Sequence, residues 1–178
     1  SYDNGIKLER RSEEKGDMSF LKDAEKEYRQ AINAEPNMVQ AYIRLGYVLY
    51  ALNRSSESIQ LLQKALEQHP SNVELKHYLG LNLYQSGDGD EAERILSEVV
   101  AERKDLPEAF FVLGKINLDN GNPLKAQEYF AQYAAATPND AHAYRALAAA
   151  YIQAKDVNGA ETALSHLLSL APDDVVAT

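Results

Sequence analysis

Three scarcities in the sequence limit what the protein can be. Cysteine is absent, which excludes a disulfide framework, a thiol nucleophile and thiolate metal sites. No apolar run approaches the roughly 18 residues that a transmembrane helix requires. Basic residues are in deficit, because 18 Lys and Arg stand against 27 Asp and Glu and give a net charge of −9. A nucleic-acid binder needs a clustered basic surface, so we expect neither nucleic-acid binding nor membrane insertion. The composition fits the cytoplasm or a bacterial periplasm.

The sequence contains an internal repeat with a period of 34 residues. Four prolines keep this step, with Lys104 at the one place where a proline is missing: Pro36, Pro70, Pro138 and Pro172. A small residue recurs at the same step, at Gly46, Gly80, Gly114 and Ala148. A large residue recurs in a third column, at Tyr28, Leu62, Leu96, Phe130 and Leu164. The agreement of several columns at one period indicates a repeat architecture.

Each repeat reads as two helices joined by a turn. In 39–52, Tyr42, Leu45, Gly46 and Leu49 occupy one helical face. The polar stretch 53–57 reads as a turn, and the second helix ends before Pro70, because proline cannot continue the hydrogen-bond ladder. The small residues at the Gly46 position predict a place where the two helices of a repeat approach closely.

A 34-residue helix–turn–helix period with these columns resembles the tetratricopeptide repeat. The resemblance implies an all-α fold, a right-handed superhelical solenoid of antiparallel helix pairs, and a single domain over 1–178. Its repeats would be 39–72, 73–106, 107–140 and 141–174, preceded by an atypical first repeat or cap at 1–38 and followed at 175–178 by the start of a truncated further helix. In place of the missing proline at Lys104, we expect the next helix to begin at Pro107, a favoured first helical position.

The first repeat departs from the pattern. Ser12 stands where the other repeats have the close-packing glycine, so 6–15 predicts a polar capping helix that lacks this glycine, or alternatively a disordered segment. Asn117 stands where other repeats have Leu49 and Leu83. It reads as a packing variation, with the alternative that it orders a ligand backbone.

The resemblance also implies where a partner would bind, since the first helices of such repeats line a concave surface. The side chains expected on it are apolar, aromatic or cationic: Ile43, Tyr47, Tyr50, His77, Leu81, Tyr84, Phe111, Lys115, His142 and Arg145. They predict a protein or peptide partner with apolar or aromatic anchors and an acidic group. The alternative is that Tyr50 and Tyr84 only pack between neighbouring repeats.

Sequence patterns of catalysis are missing. The four histidines occupy different phases of the repeat, and no phosphate loop, metal-binding His motif or nucleophile elbow occurs. We therefore predict no cofactor, no metal and no enzymatic activity. The function expected is that of an adaptor or scaffold. The alternatives are self-association through an uncapped C-terminal end, or an accessory segment of a larger bacterial pilus, secretion or polysaccharide-export assembly protein or enzyme.

Overall fold

The computed structural model describes residues 1–172, which form ten α-helices and, within that range, no strand. The helices are α1 (Tyr2–Lys15), α2 (Ser19–Ala34), α3 (Val39–Ala51), α4 (Ser55–Gln68), α5 (Val73–Gln85), α6 (Gly89–Glu102), α7 (Pro107–Asp119), α8 (Pro123–Ala136), α9 (Ala141–Gln153) and α10 (Val157–Leu170). Successive helices form antiparallel pairs that repeat along the chain. The predicted helix–turn–helix fold is confirmed, as is the start of a helix at Pro107. The expected further helix at 175–178 lies outside the described residues.

The small and large columns of the repeat meet inside each helix pair. A Cβ atom added at Gly46 would lie 2.7 Å from Leu62 Cδ2, and one added at Gly80 would lie 2.5 Å from Leu96 Cδ2. At Gly114 the nearest atom would be Phe130 Cε1, also at 2.5 Å. Atoms at such distances overlap, so the absent side chain is what lets the two backbones approach. The close approach predicted from the glycines is confirmed.

The turn inside each of the last four repeats uses a left-handed residue at the same phase. The four residues are Asn53 (φ 57°), Gly87 (φ 94°), Gly121 (φ 73°) and Lys155 (φ 60°). They lie 34 residues apart, yet only two are glycines, which is why composition alone did not reveal the column. Asparagine tolerates this conformation better than other non-glycine residues.

The chain divides into two compact units, Ser1–Val99 and the residues from Val100 onward. The core of the first unit contains Leu21, Tyr28, Leu45, Val48 and Leu49, all buried. The core of the second unit is built around Phe130, with Ala126, Leu147, Ala148 and Ala163 against it. The expectation of a single domain over 1–178 stays a prediction.

The predicted capping helix at 6–15 is part of α1, but α1 begins at Tyr2 and so includes a close-packing glycine outside the predicted bounds. The glycine is Gly5, where an added Cβ would lie 2.5 Å from Tyr28 Cε1. The turn after α1 covers residues 16–18, whereas the repeat phase of 52–54 would place it at 18–20. The close contact with Tyr28 is made by Gly5, seven residues before Ser12. Ser12 is still buried, and its hydroxyl donates to the carbonyl oxygen of Asp17 at 3.0 Å.

A buried carboxyl group ties α1 to the next two helices. Glu9 accepts a hydrogen bond from the Tyr28 hydroxyl, and Arg44 Nη1 lies 3.4 Å from Glu9 Oε2. Burial raises the pKa of Glu9 above its usual range, although the bond from Tyr28 and the charge of Arg44 oppose the rise. Folding therefore shifts Glu9 toward its protonated form relative to the unfolded chain. This acid contributes more stability at low pH and loses that contribution as pH rises through its folded pKa.

Candidate functional site

In the first unit, the predicted binding positions divide into buried and accessible residues. Ile43, His77 and Leu81 are buried, the last two with only 2% of their surface exposed. Their side chains therefore belong to the packing of α3 and α5. Tyr47, Tyr50 and Tyr84 are partly exposed. Tyrosine combines a large apolar ring with a polar tip, which suits a surface that contacts a partner.

The first unit also contains an aromatic residue that the sequence analysis did not select. The ring of Tyr78 lies 5.9 Å from that of Tyr47 and 5.0 Å from that of His77. The contact between Tyr47 and Tyr78 joins α3 to α5 through aromatic side chains. Tyr78 comes directly after His77 in the sequence. Its contact with Tyr47 depends on how α3 and α5 pack, and the residue type at one position does not predict that packing.

In the second unit, a connected set of side chains crosses from α7 to α9. The Phe111 ring, partly exposed, lies 5.0 Å from Tyr133 of α8. The Tyr133 hydroxyl donates to Asp140 Oδ2 at 2.6 Å, and Asp140 Oδ1 accepts the backbone N–H of His142 at 2.9 Å. Arg145 Nη1 lies 3.0 Å from His142 Nδ1. Each of these residues contacts the next, so the five residues form one connected patch.

We call this set, together with Lys115, the Phe111–Arg145 patch. Lys115 belongs to it because it lies four residues after Phe111 on α7, one helical turn along the same face. Four of the predicted residues thus share it: Phe111, Lys115, His142 and Arg145. Tyr133 and Asp140 were missed. A signal for Tyr133 did exist, since it stands in a column otherwise filled by Ala31, Ala65, Val99 and Leu167.

The hydrogen bond between Tyr133 and Asp140 affects the pKa of both groups. Burial, together with the bond to Asp140, raises the pKa of Tyr133 to about 12. The hydrogen bond from Tyr133 lowers the pKa of Asp140 below its usual range. The phenol therefore stays a donor and the carboxylate stays ionised at neutral pH. Because a guanidinium can only donate, the 3.0 Å contact from Arg145 Nη1 uses His142 Nδ1 as its acceptor.

Two buried asparagines use their side-chain amides to bond the backbone of their own helices. Asn82 Nδ2 donates to the carbonyl oxygen of Tyr78 at 2.8 Å, and Asn117 Nδ2 donates to that of Leu113 at 2.9 Å. Both amides bond the backbone four residues earlier in their own helix. Asn117 is 1% exposed, which supports its reading as a packing variation over a role in ordering a ligand.

Neither a metal cluster nor a membrane span is found in the described range. Within residues 1–172, no three His, Asp or Glu side chains lie where they could hold a metal ion. Among the helices of that range, none has the length and apolar character to cross a membrane.

Known proteins share this repeat pattern and this fold. Protein O-mannosyl-transferase TMTC3 of Mus musculus is 27% identical over 146 residues, which covers 74% of this chain and 16% of the relative. TPR repeat-containing protein MJ1428 of Methanocaldococcus jannaschii is 26% identical over 132 residues, covering 74% of this chain and 23% of the relative. The chain therefore spans less than a quarter of either relative.

Solved structures superpose over nearly the whole length. MamA 41-end from Desulfovibrio magneticus RS-1 has a TM-score of 0.74 at 16% identity, covering 97% of this chain and 98% of that one. YrrB, a TPR protein with an unusual peptide-binding site, has a TM-score of 0.68 at 22% identity, covering 94% and 93%. At these identities the likeness shows the fold alone.

The family assignment rests on the repeats themselves. Tetratricopeptide repeat models match residues 11–73, 56–116 and 117–177. These matches take in nearly the whole sequence, and they agree with the columns of small and large residues seen inside each helix pair. The chain belongs to the tetratricopeptide repeat family.

Proposed function

We propose that the chain is a non-catalytic protein-interaction module that binds a peptide segment or helix of a partner through the first helices of its repeats. The observation that carries this proposal is the Phe111–Arg145 patch. Phe111 and Tyr133 offer two adjacent aromatic rings, tilted by 51° to each other, for an apolar anchor. Arg145 and Lys115 offer positive charge for an acidic group. Aromatic side chains and arginine are the residues most often found at binding hot spots.

The partly exposed tyrosines of the first unit support the same function. Tyr47, Tyr50 and Tyr84 would give a ligand further apolar contacts with polar tips. The solved relative YrrB, a TPR protein with an unusual peptide-binding site, shows that a chain with this fold can hold a peptide. The partner proposed for this chain is a peptide with aromatic or apolar anchors and a carboxylate.

The test is a selection of random dodecapeptides displayed on phage against the immobilised protein. We expect Phe111→Ala and Arg145→Ala each to weaken the selected peptides about tenfold, a loss of about 1.4 kcal/mol, as measured by fluorescence anisotropy. Gln132→Ala, on an exposed position of α8, is the matched control and should leave the affinity unchanged. Phe111 also packs on Phe130, so circular dichroism must show that the variant is folded. Peptides that bind all variants equally would contradict the proposal.

Self-association is a second candidate function, favoured by the exposed apolar surface of α10. Leu168 is 51% exposed, whereas Ala134, its counterpart one repeat earlier, is buried. A second copy of the chain would cover this surface. We expect a molar mass above that of the monomer in light scattering at high concentration, and a monomer for Leu168→Glu. A wild-type protein that stays monomeric up to millimolar concentration would rule the candidate out.

A further inference from the structure

The inner turn of a repeat in the first unit is closed by a glutamine from the next helix pair. Gln85, the last residue of α5, donates from Nε2 to Asn53 Oδ1 at 2.9 Å. Its Oε1 accepts the hydroxyl proton of Ser55. The turn between α3 and α4 is thereby fastened to the end of α5. Both bonds depend on a polar side chain at each of two turn positions.

The equivalent turn in the second unit lies 68 residues later and lacks both partners. Gly121 replaces Asn53 and Pro123 replaces Ser55, so neither an acceptor nor a hydroxyl is available to the glutamine. The equivalent glutamine, Gln153, instead directs Nε2 to the carbonyl oxygen of Leu118 at 3.5 Å. A cavity of about 690 Å³ lies between the two segments, Gly121–Lys125 and Gln153–Lys155.

Two further residues of this turn give the cavity a different chemistry from the equivalent turn in the first unit. Leu124 takes the place of Ser56 and is 69% exposed, and Lys125 takes the place of Glu57. Lys155 faces the same cavity from the following turn, and neither segment that lines it contains an acidic residue. The carboxylate of the neighbouring Asp156 accepts the backbone N–H of Gly159 at 3.0 Å, so it is engaged in capping α10.

We propose that this cavity, the turn pocket, docks an acidic peptide segment that carries one apolar anchor residue. The anchor side chain packs on Leu124 and Pro123. The carboxylates on either side of it are attracted by Lys125 and Lys155. Small-ligand pockets in proteins span about 300–1,000 Å³, so the cavity has room for one large side chain and the adjacent backbone. A positive pocket on a chain of net charge −9 favours an acidic partner over a second copy of this chain.

The turn pocket is separate from the Phe111–Arg145 patch and does not depend on it. None of its lining residues belongs to the patch. Loss of binding at one site therefore leaves the other intact, and variants of each serve as controls for the other.

The experiment compares wild-type protein with two pocket variants in a selection from a random dodecapeptide library displayed on phage. The double variant Lys125→Glu/Lys155→Glu reverses the charge of the pocket. The double variant Gly121→Asn/Pro123→Ser restores the residues that Gln85 uses in the first unit, so that Gln153 can close the pocket. Asparagine at 121 is compatible with the left-handed backbone, as Asn53 shows.

The control variant, Lys22→Glu/Lys104→Glu, makes the same change of charge at exposed sites elsewhere. Circular dichroism must show that all variants are folded.

We expect wild-type selection to enrich peptides in which an apolar residue is flanked by Asp or Glu. A class of these peptides should bind both pocket variants at least tenfold more weakly, while binding the Lys22/Lys104 control and Arg145→Ala as tightly as wild type. The proposal is overturned if no selected peptide distinguishes wild type from the closed pocket. It is also overturned if the discriminating peptides carry no acidic residue. A wild-type dimer in sedimentation velocity that the closed variant loses would assign the pocket to a second copy instead.

Discussion

Replacing Phe130 with alanine should lower the free energy of unfolding by about 3–5 kcal/mol. Phe130 is fully buried at the centre of the second unit's core, and its ring fills the space that the missing side chain of Gly114 leaves open. Truncation removes the ring from its contacts and leaves a cavity that the facing helix cannot collapse into. Urea denaturation followed by helical circular dichroism measures the effect.

Phe130→Leu is the matched control, because other repeats of the chain have leucine at this position. Leu62, Leu96 and Leu164 occupy the same phase, so leucine fits this kind of helix pair. We expect a loss below about 1.5 kcal/mol for this smaller change of volume. Equal losses for the alanine and leucine variants would show that Phe130 is not the central side chain of the unit.

Gly80→Val should destabilise the first unit by about 1–3 kcal/mol, the usual range for forcing extra atoms into a packed core. The added Cβ alone would lie 2.5 Å from both Cγ and Cδ2 of Leu96. Cγ is close to the backbone of α6, so rotating the leucine cannot relieve the overlap fully. The two helices must separate, and thermal unfolding followed by circular dichroism should register the change as a lower midpoint.

Gly89→Val provides the comparison for this substitution. Apart from its chain neighbours and the backbone of its own helix, no atom lies within 4 Å of a Cβ added at Gly89, and its φ lies outside the left-handed region. The same side chain should therefore alter stability by no more than about 0.5 kcal/mol there. If both variants lost stability equally, the helix propensity of valine, and not the close approach at Gly80, would explain the result.

The period of the sequence was sufficient to predict the fold. A large side chain at one position of the repeat and a missing side chain at another indicate the same contact, as at Gly80 and Leu96. Because the contact recurs in several repeats, the columns of the sequence predict it. The register failed where the chain departs from its own period. The turn at 16–18 comes two residues before its place in the period, and the close contact with Tyr28 is made by Gly5. No residue pattern in the first helix predicts this departure.

The candidate site was predicted less completely, for a physical reason. Periodicity assigns a residue to a helical face, but the edge between buried and exposed parts of that face depends on the size of its neighbours. His77 and Leu81 lie on the inner side of that edge, whereas Tyr47 lies on the outer side. Tyr133 and Asp140 joined the patch through a hydrogen bond between α8 and the loop before α9, a pairing for which sequence spacing carries no signal.

The left-handed turn residues of the second unit affect both the stability of its turns and the charge beside the turn pocket. Gly121 adopts its conformation without strain, whereas Lys155 holds φ 60° with a full side chain. A non-glycine residue in this region costs roughly 1 kcal/mol. Glycine at 155 would be the thermodynamic optimum for the turn, yet it would remove one of the two positive charges beside the turn pocket. Lys155 thus makes the turn less stable than glycine would, but it keeps the positive charge beside the turn pocket.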